Sequence, residues 1–260
     1  MDALIQLPFF FLLLALIVGL ALGSFYNVCV HRYLTGQSVI RPGSHCPACG
    51  HVLSWWENIP VLSYIVLRAR CRSCKKAIHW RYPALELLSG VLALLFAWKF
   101  GPGLPWLVYM IFLGIFLVAS FIDLEAYILP DILTYPAAVL ALISPIILPV
   151  DWGETLWGSL AGAGVFLALQ QGYLRWRKLD ALGTGDIKLM LTLGALVGLS
   201  MLPLMILVSA LSALLVALVY LRRASAQGLR TAIPFGPFLC LGCVLVLLWG
   251  EEILALIIGS

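Results

Sequence analysis

Residues 189–221 read LMLTLGALVGLSMLPLMILVSALSALLVALVYL, 33 residues without one charged side chain. A bilayer core about 30 Å thick is crossed by roughly 20 apolar residues in helical form. The stretch is therefore too long for one span, and Pro203, just after Gly198-Leu-Ser, offers a break into two short ones. The reading decides the topology. As one span it would carry Arg222, Arg223 and Arg230 to the outer side; as two it returns them to the side that positive charge favours, the cytoplasm.

The remaining chain has the same character. Of 260 residues, 63% are hydrophobic and 11% charged, and mean hydropathy is +1.05. Soluble domains carry about a quarter charged residues, so a soluble enzyme, a disordered chain and a nucleic-acid binder are excluded, and the net charge of +4 is incidental. Uncharged runs at 3–30, 100–122, 132–150, 155–174 and 231–250 read as further spans. Segment 82–100 joins them with ends that snorkel. The first run begins Met-Asp-Ala with no basic residue, which fits a retained helix better than a signal peptide. The fold expected is all-α and polytopic, with about eight transmembrane helices. It divides into helix 1 (1–30), a loop domain (31–81) and a seven-helix membrane block (82–260).

Sidedness follows from the loop. It holds Arg32, Arg41, Arg68, Arg70, Arg72, Lys75, Lys76 and Arg81 against the single acid Glu57, so it is expected in the cytoplasm with both termini outside. Within it stand Cys46-Pro-Ala-Cys49 and Cys71-Arg-Ser-Cys74. Two C-x2-C pairs can complete a tetrahedral zinc shell of Cys46, Cys49, Cys71 and Cys74, whereas disulfides rarely persist in a reducing compartment. Four protein ligands leave no open position, so such a zinc is structural and stabilises a loop with little apolar mass. Plain reduced thiols are the competing reading. His31, His45, His51 and His79 lie in or beside the loop and read as polar surface. Cys240-Leu-Gly-Cys243 repeats the spacing inside an apolar helix, where small residues serve packing.

Ionisable groups in a membrane are costly and mark function. Asp123 ends the third span and Asp186 opens the sixth within Gly183-Thr-Gly-Asp186-Ile-Lys188, both at the expected cytoplasmic ends. Two carboxyls a few ångströms apart cannot both ionise, and such a dyad can activate water and protonate a leaving group. The alternative is that each acid offsets a helix dipole or is simply solvated. Glu125 and Asp131 compete as candidates but read as water-facing. Together with Glu86 and Asp180 they form an expected acidic docking face for a basic segment. A transporter reading also accommodates broken helices and buried acids, but two similar halves are not evident. A zinc-loop assembly factor is a third possibility.

These motifs together resemble the type IV prepilin peptidases, bifunctional leader peptidase/N-methyltransferases of bacterial type IV pilus and type II secretion systems. The resemblance covers nearly the whole chain. It rests on Gly23-Ser-Phe-Tyr-Asn27-Val28 with His31-Arg32, the paired cysteines around Asn58-Ile-Pro60, and Arg81-Tyr-Pro-Ala-Leu-Glu86. It continues through Asp123-Leu124, Leu129-Pro130-Asp131, Gly183–Asp186 with Lys188-Leu189, and Pro234-Phe-Gly-Pro237. It implies that Asp123 and Asp186 are catalytic in an inner-membrane aspartic peptidase that removes basic leaders from prepilins and pseudopilins on the cytoplasmic side. It also implies methylation of the new N-terminus with S-adenosylmethionine, and a zinc loop associated with that step. Ala69 stands where glycine is expected, and Glu125 where many relatives have aspartate. A glycine-rich nucleotide turn is lacking, and Glu57 and Asn58 are the guesses for the methyl-donor surface.

Overall fold

The computed structural model describes residues 9–178, 183–223 and 233–259. Asp180, Arg230 and the Met-Asp-Ala start lie outside the described residues. The helices are α1 (Phe9–Thr35), α2 (Leu62–Val66), α3 (Arg81–Phe100), α4 (Leu104–Ala126), α5 (Asp131–Ile143), α6 (Trp152–Arg177), α7 (Thr184–Arg223) and α8 (Gly236–Ile258). No strand occurs among the described residues, which hold two isolated β-bridges in the loop. Five helices are long and apolar enough to cross a membrane: α1, α3, α4, α7 and α8. A shorter apolar helix runs Asp131–Ile146, and α6 has crossing length but mixes Gln170 and Gln171 into its run.

One boundary differs from the sequence reading. The break in α7 falls at Gly198 (φ 77, ψ 167), not at Pro203, which continues inside the helix. An unbroken 40-residue helix would span about 60 Å, twice the bilayer core. Gly198 takes a positive φ at little steric cost. The freed backbone is then satisfied by a side chain: Glu154 Oε2 accepts the Ser200 amide at 2.8 Å. Counted as two helices, α7 makes eight with α1, α3, α4, α8, the shorter α5 and the mixed α6, roughly the expected number.

The chain forms two compact units, one up to Val118 and one from Ala119, with α4 contributing to both. In the first, α1 and α3 pack through glycine. A Cβ on Gly19 would stand 2.8 Å from Gly90 Cα, and one on Gly23 would stand 2.7 Å from Glu86 Cα. Asn27 Nδ2 donates to the Tyr82 carbonyl at 3.0 Å across the same contact. Without a hydrophobic force between helices in lipid, such close backbone approach supplies the dispersion contacts that hold them.

In the second unit, α6 and α7 meet at Gly158 and Gly194, where a Cβ on either would strike the other's carbonyl oxygen. Gly242 lets α8 approach α7, since a Cβ there would stand 2.9 Å from the Met205 carbonyl oxygen. Cys240 and Cys243 are buried on this part of α8, in keeping with a packing role. Large apolar side chains such as Leu214, Leu215 and Leu256 remain exposed, as lipid-facing surface does.

Glu154→Ala should lower the thermal stability of the detergent-solubilised chain by about 1–2 kcal/mol, because the Ser200 amide then loses its acceptor. Glu154→Gln keeps an oxygen there and should lose less. Equal melting temperatures for the native chain and both variants would remove Glu154 from the account of the α7 break.

Candidate active site and metal centre

The cysteine loop is built from two matching turns. In the first, the Cys46 amide donates to His51 O at 2.8 Å and the Gly50 amide to Cys46 O at 2.9 Å. In the second, the Cys71 amide donates to Lys76 O at 2.9 Å and the Lys75 amide to Cys71 O at 3.0 Å. The residue after each pair takes a left-handed conformation, Gly50 (φ 71) in one and Lys75 (φ 59) in the other. The likeness is in the backbone, and the sequence shows it only through the cysteine spacing.

The two turns bring all four Sγ atoms within 4.8 Å of one another. Cys46 and Cys74 are 3.9 Å apart, and Cys49 and Cys71 are 4.0 Å apart. These distances are far beyond a disulfide bond and close to the roughly 3.8 Å edge that a Zn–S bond of about 2.3 Å gives a tetrahedron. The donor set thus fits zinc, and no histidine is part of the cluster. The Cys74 amide, together with that of Ser73, pulls the Cys71 thiol down to about 6, so one thiolate is available for metal at neutral pH. Ala69 (φ 57) explains why glycine suits that position, since both it and Arg68 (φ 50) are left-handed.

Glu57 is buried, not presented at the loop surface. Its Oε2 accepts the Ser54 amide at 2.8 Å and lies 3.3 Å from His51 Nε2. The Ser54 amide, helped by His51, holds its carboxyl below the ordinary glutamate value. Glu57 is therefore a structural acid of the loop, while Asn58 beside it is exposed.

The acids of the second unit have a different setting. Asp123 lies near the C-terminal end of α4 and Asp186 in the first turn of α7, with 6% and 9% of their surface exposed. The Gly236 amide, at the start of α8, donates to Asp123 Oδ2 at 3.2 Å. A helix N-terminus favours a carboxylate by its dipole and its unpaired N–H groups. Asp186 closes its own turn through its amide, which donates to Gly183 O at 3.1 Å.

Leu129 ties these pieces together. A Cβ on Gly185 would stand 2.8 Å from Leu129 Cβ, and one on Gly236 would stand 3.1 Å from Leu129 Cδ2 and 2.8 Å from Asp123 Oδ2. Glycine at both positions lets the α7 and α8 entrances close around one leucine. Gly185 adjoins Asp186 and the Gly236 amide binds Asp123, so both carboxyls belong to segments that meet at Leu129. Asp123 and Asp186 are thus gathered into one buried acidic site, a setting suited to general acid–base chemistry.

Two of the other acids have partners within the chain. Asp131 pairs with Lys188 at 2.6 Å, and Lys188 also lies over the Tyr135 ring at 4.9 Å, joining the starts of α5 and α7. Glu86 is buried and accepts the Val61 amide at 2.7 Å. The expectation that Glu86 faces water is corrected by its burial, whereas Asp131 stays exposed as expected. The Gly236 amide and the Leu129 wedge were missed by reasoning from acids alone; the Pro234–Pro237 and Leu129–Asp131 motifs were their sequence signals.

Two family models match the chain: the bacterial peptidase A24 N-terminal domain over residues 17–100, and the type IV leader peptidase family over residues 110–218. A prepilin leader peptidase/N-methyltransferase of Pseudomonas putida is 35% identical, with 95% of this chain and 94% of that protein covered. The chain belongs to the type IV leader peptidase family. Proteins of the same description from Stutzerimonas stutzeri and Pseudomonas aeruginosa are 36% and 34% identical, covering 95% and 97% of this chain and 94% and 95% of their own lengths. No solved structure matches. The two matched regions carry the four cysteines and the two buried aspartates respectively.

Purified chain should carry about one zinc per molecule. Cobalt substituted for it should give thiolate charge-transfer absorption, lost in Cys71→Ser. Metal content unchanged by that substitution would assign the metal elsewhere.

Proposed function

We propose that this chain is a prepilin leader peptidase and N-methyltransferase of the bacterial inner membrane, with the Asp123/Asp186 pair as its peptidase centre. The carrying observation is the burial of both carboxyls in one site, with the Gly236 amide on one of them. Family membership and the names of the relatives support the same reading. The substrates are prepilins and pseudopilins, the chain is multi-pass in lipid with no nucleic-acid partner, and pilus assembly and type II secretion are the settings. The loop and both aspartates face the cytoplasm and both termini the periplasm, as the basic residues require.

The chemistry needs one proton shared by two carboxyls. The ionised carboxylate takes a proton from water, whose oxygen attacks the scissile carbonyl carbon. The protonated partner supports the oxygen as the tetrahedral centre forms. When the C–N bond breaks, the leaving amine takes a proton from the dyad, and the carbonyl product keeps the water oxygen. The Gly236 amide orients Asp123 throughout. The functional division proposed is helix 1 (1–30), the loop (31–81) and the seven-helix block (82–260) that carries the peptidase site, distinct from the two compact units.

Zinc held by Cys46, Cys49, Cys71 and Cys74 has a structural role, keeping the loop folded. S-adenosylmethionine is the methyl donor implied by the relatives' names. The cleft beside α2 does not fit it: its walls carry Arg68, Arg70, Arg72 and Lys75, whereas the sulfonium and ammonium leave the donor with net positive charge.

Asp123→Asn and Asp186→Asn, assayed in membranes with a prepilin and labelled methyl donor, should each lose cleavage by at least about a thousandfold. Cleavage retained in both would refute the dyad.

Gly236→Ala adds a methyl where Asp123 Oδ2 and Leu129 already stand, and should cut cleavage about a hundredfold through displacement of the carboxyl. A wild-type rate in a folded Gly236→Ala chain would show that this contact is not used.

A further inference from the structure

Between the two cysteine turns the chain passes through α2, one and a half turns of helix reading Leu62-Ser-Tyr-Ile65-Val66. Positions i, i+3 and i+4 share one face. That face is apolar and uncovered, with Leu62 54%, Ile65 64% and Val66 62% exposed. A hydrogen bond ties the start of α2 to α3. The Val61 amide, at the N-terminal edge of α2, donates to Glu86 Oε2 at 2.7 Å. Glu86 lies in the second turn of α3, which is long and apolar enough to cross a membrane. α2 is thereby tied to the N-terminal part of a helix of membrane-crossing length.

Basic residues stand immediately beyond it. An open cleft of about 520 Å³ has Val66 and Leu67 on its wall together with Arg68, Arg70, Arg72 and Lys75. All four cations are exposed. Among the described residues none of them forms an ion pair, and Arg72 lies over the Trp56 ring at 5.2 Å. The consecutive left-handed residues Arg68 and Ala69 turn the chain directly after α2, where the Ala69 amide donates to Tyr64 O at 2.8 Å, and Val66 of the apolar face shares the cleft wall with the cations. The same loop exposes Trp55 and Trp80, at 81% and 68%. Tryptophan is the residue enriched at the membrane–water boundary.

We propose that this surface is a binding site for anionic phospholipid in the leaflet from which α3 starts. Leu62, Ile65 and Val66 enter the acyl boundary, and Arg68, Arg70, Arg72 and Lys75 take the headgroup phosphates. An apolar helix face beside clustered arginine is the composition of interfacial segments that prefer anionic lipid, and guanidinium groups pair with phosphate through two parallel bonds. A basic peptide is repelled by the same four cations, which separates this site from one that receives a basic leader. Bound lipid fastens the cysteine loop to the bilayer at a second point, beside the Glu86 anchor. The proposal does not depend on the peptidase reading.

The test uses the full chain in nanodiscs of phosphatidylcholine with or without phosphatidylglycerol. Amide hydrogen exchange is followed over residues 60–76. Exchange there should slow about tenfold in the anionic discs and recover near 1 M salt, where the Debye length falls to about 3 Å. Arg68→Gln/Arg70→Gln should abolish most of the lipid dependence while leaving metal content and the exchange of α7 peptides unchanged. Ile65→Ser/Val66→Ser should reduce protection at both salt concentrations. Equal exchange in the two kinds of disc overturns the proposal. So does equal protection from inorganic phosphate in phosphatidylcholine discs, or protection that tracks the number of chains per disc.

Discussion

The hydrogen bond from the Gly236 amide to Asp123 resolves two difficulties that a membrane interior imposes. A helix that starts below the water surface leaves its first N–H groups without partners, and a buried carboxylate lacks solvation. Joined, each group answers part of the other's need. The arrangement holds only while α8 can come this close. That requires glycine at 236 and, on the facing α7 entrance, glycine at 185 against the same Leu129. The acidic site is thus a consequence of how helix entrances pack.

The same rule operates at the α7 break. Glu154 reaches from the first turn of α6 to accept the Ser200 amide just past Gly198, so the backbone opens only where a side chain closes the account. Elsewhere in the second unit, Gly158 against Gly194 and Gly242 against α7 remove the side chains that would keep backbones apart. In the first unit, Gly19 and Gly23 do this for α1 and α3. A chain rich in leucine gains little from apolar contact when lipid is the alternative partner, so small residues decide which helices meet.

The loop relies on another force. Its two turns repeat one backbone form, and the four sulfurs meet at distances suited to a tetrahedral metal. Glu57, read from sequence as a surface candidate, is consumed by Ser54 and His51 inside that structure. Glu86, read as facing solvent, instead anchors Val61 and with it α2. Glu86 reads as solvated from its place near a helix start until its backbone partner is known.

The sequence by itself determined the membrane class, the eight-helix count, the cysteine set and the two aspartates worth following. Run length, charge placement and C-x2-C spacing are local properties that need no fold to be legible. The position of the α7 break, at Gly198 and not Pro203, was decided by tertiary structure, because Glu154 arrives from another helix to satisfy Ser200. Tertiary structure also decided that Asp131 belongs to Lys188 and that Asp123 receives an amide 113 residues away. These are pairings between distant segments, and a buried polar group's partner is fixed by which backbones can approach, a property no single stretch of sequence contains.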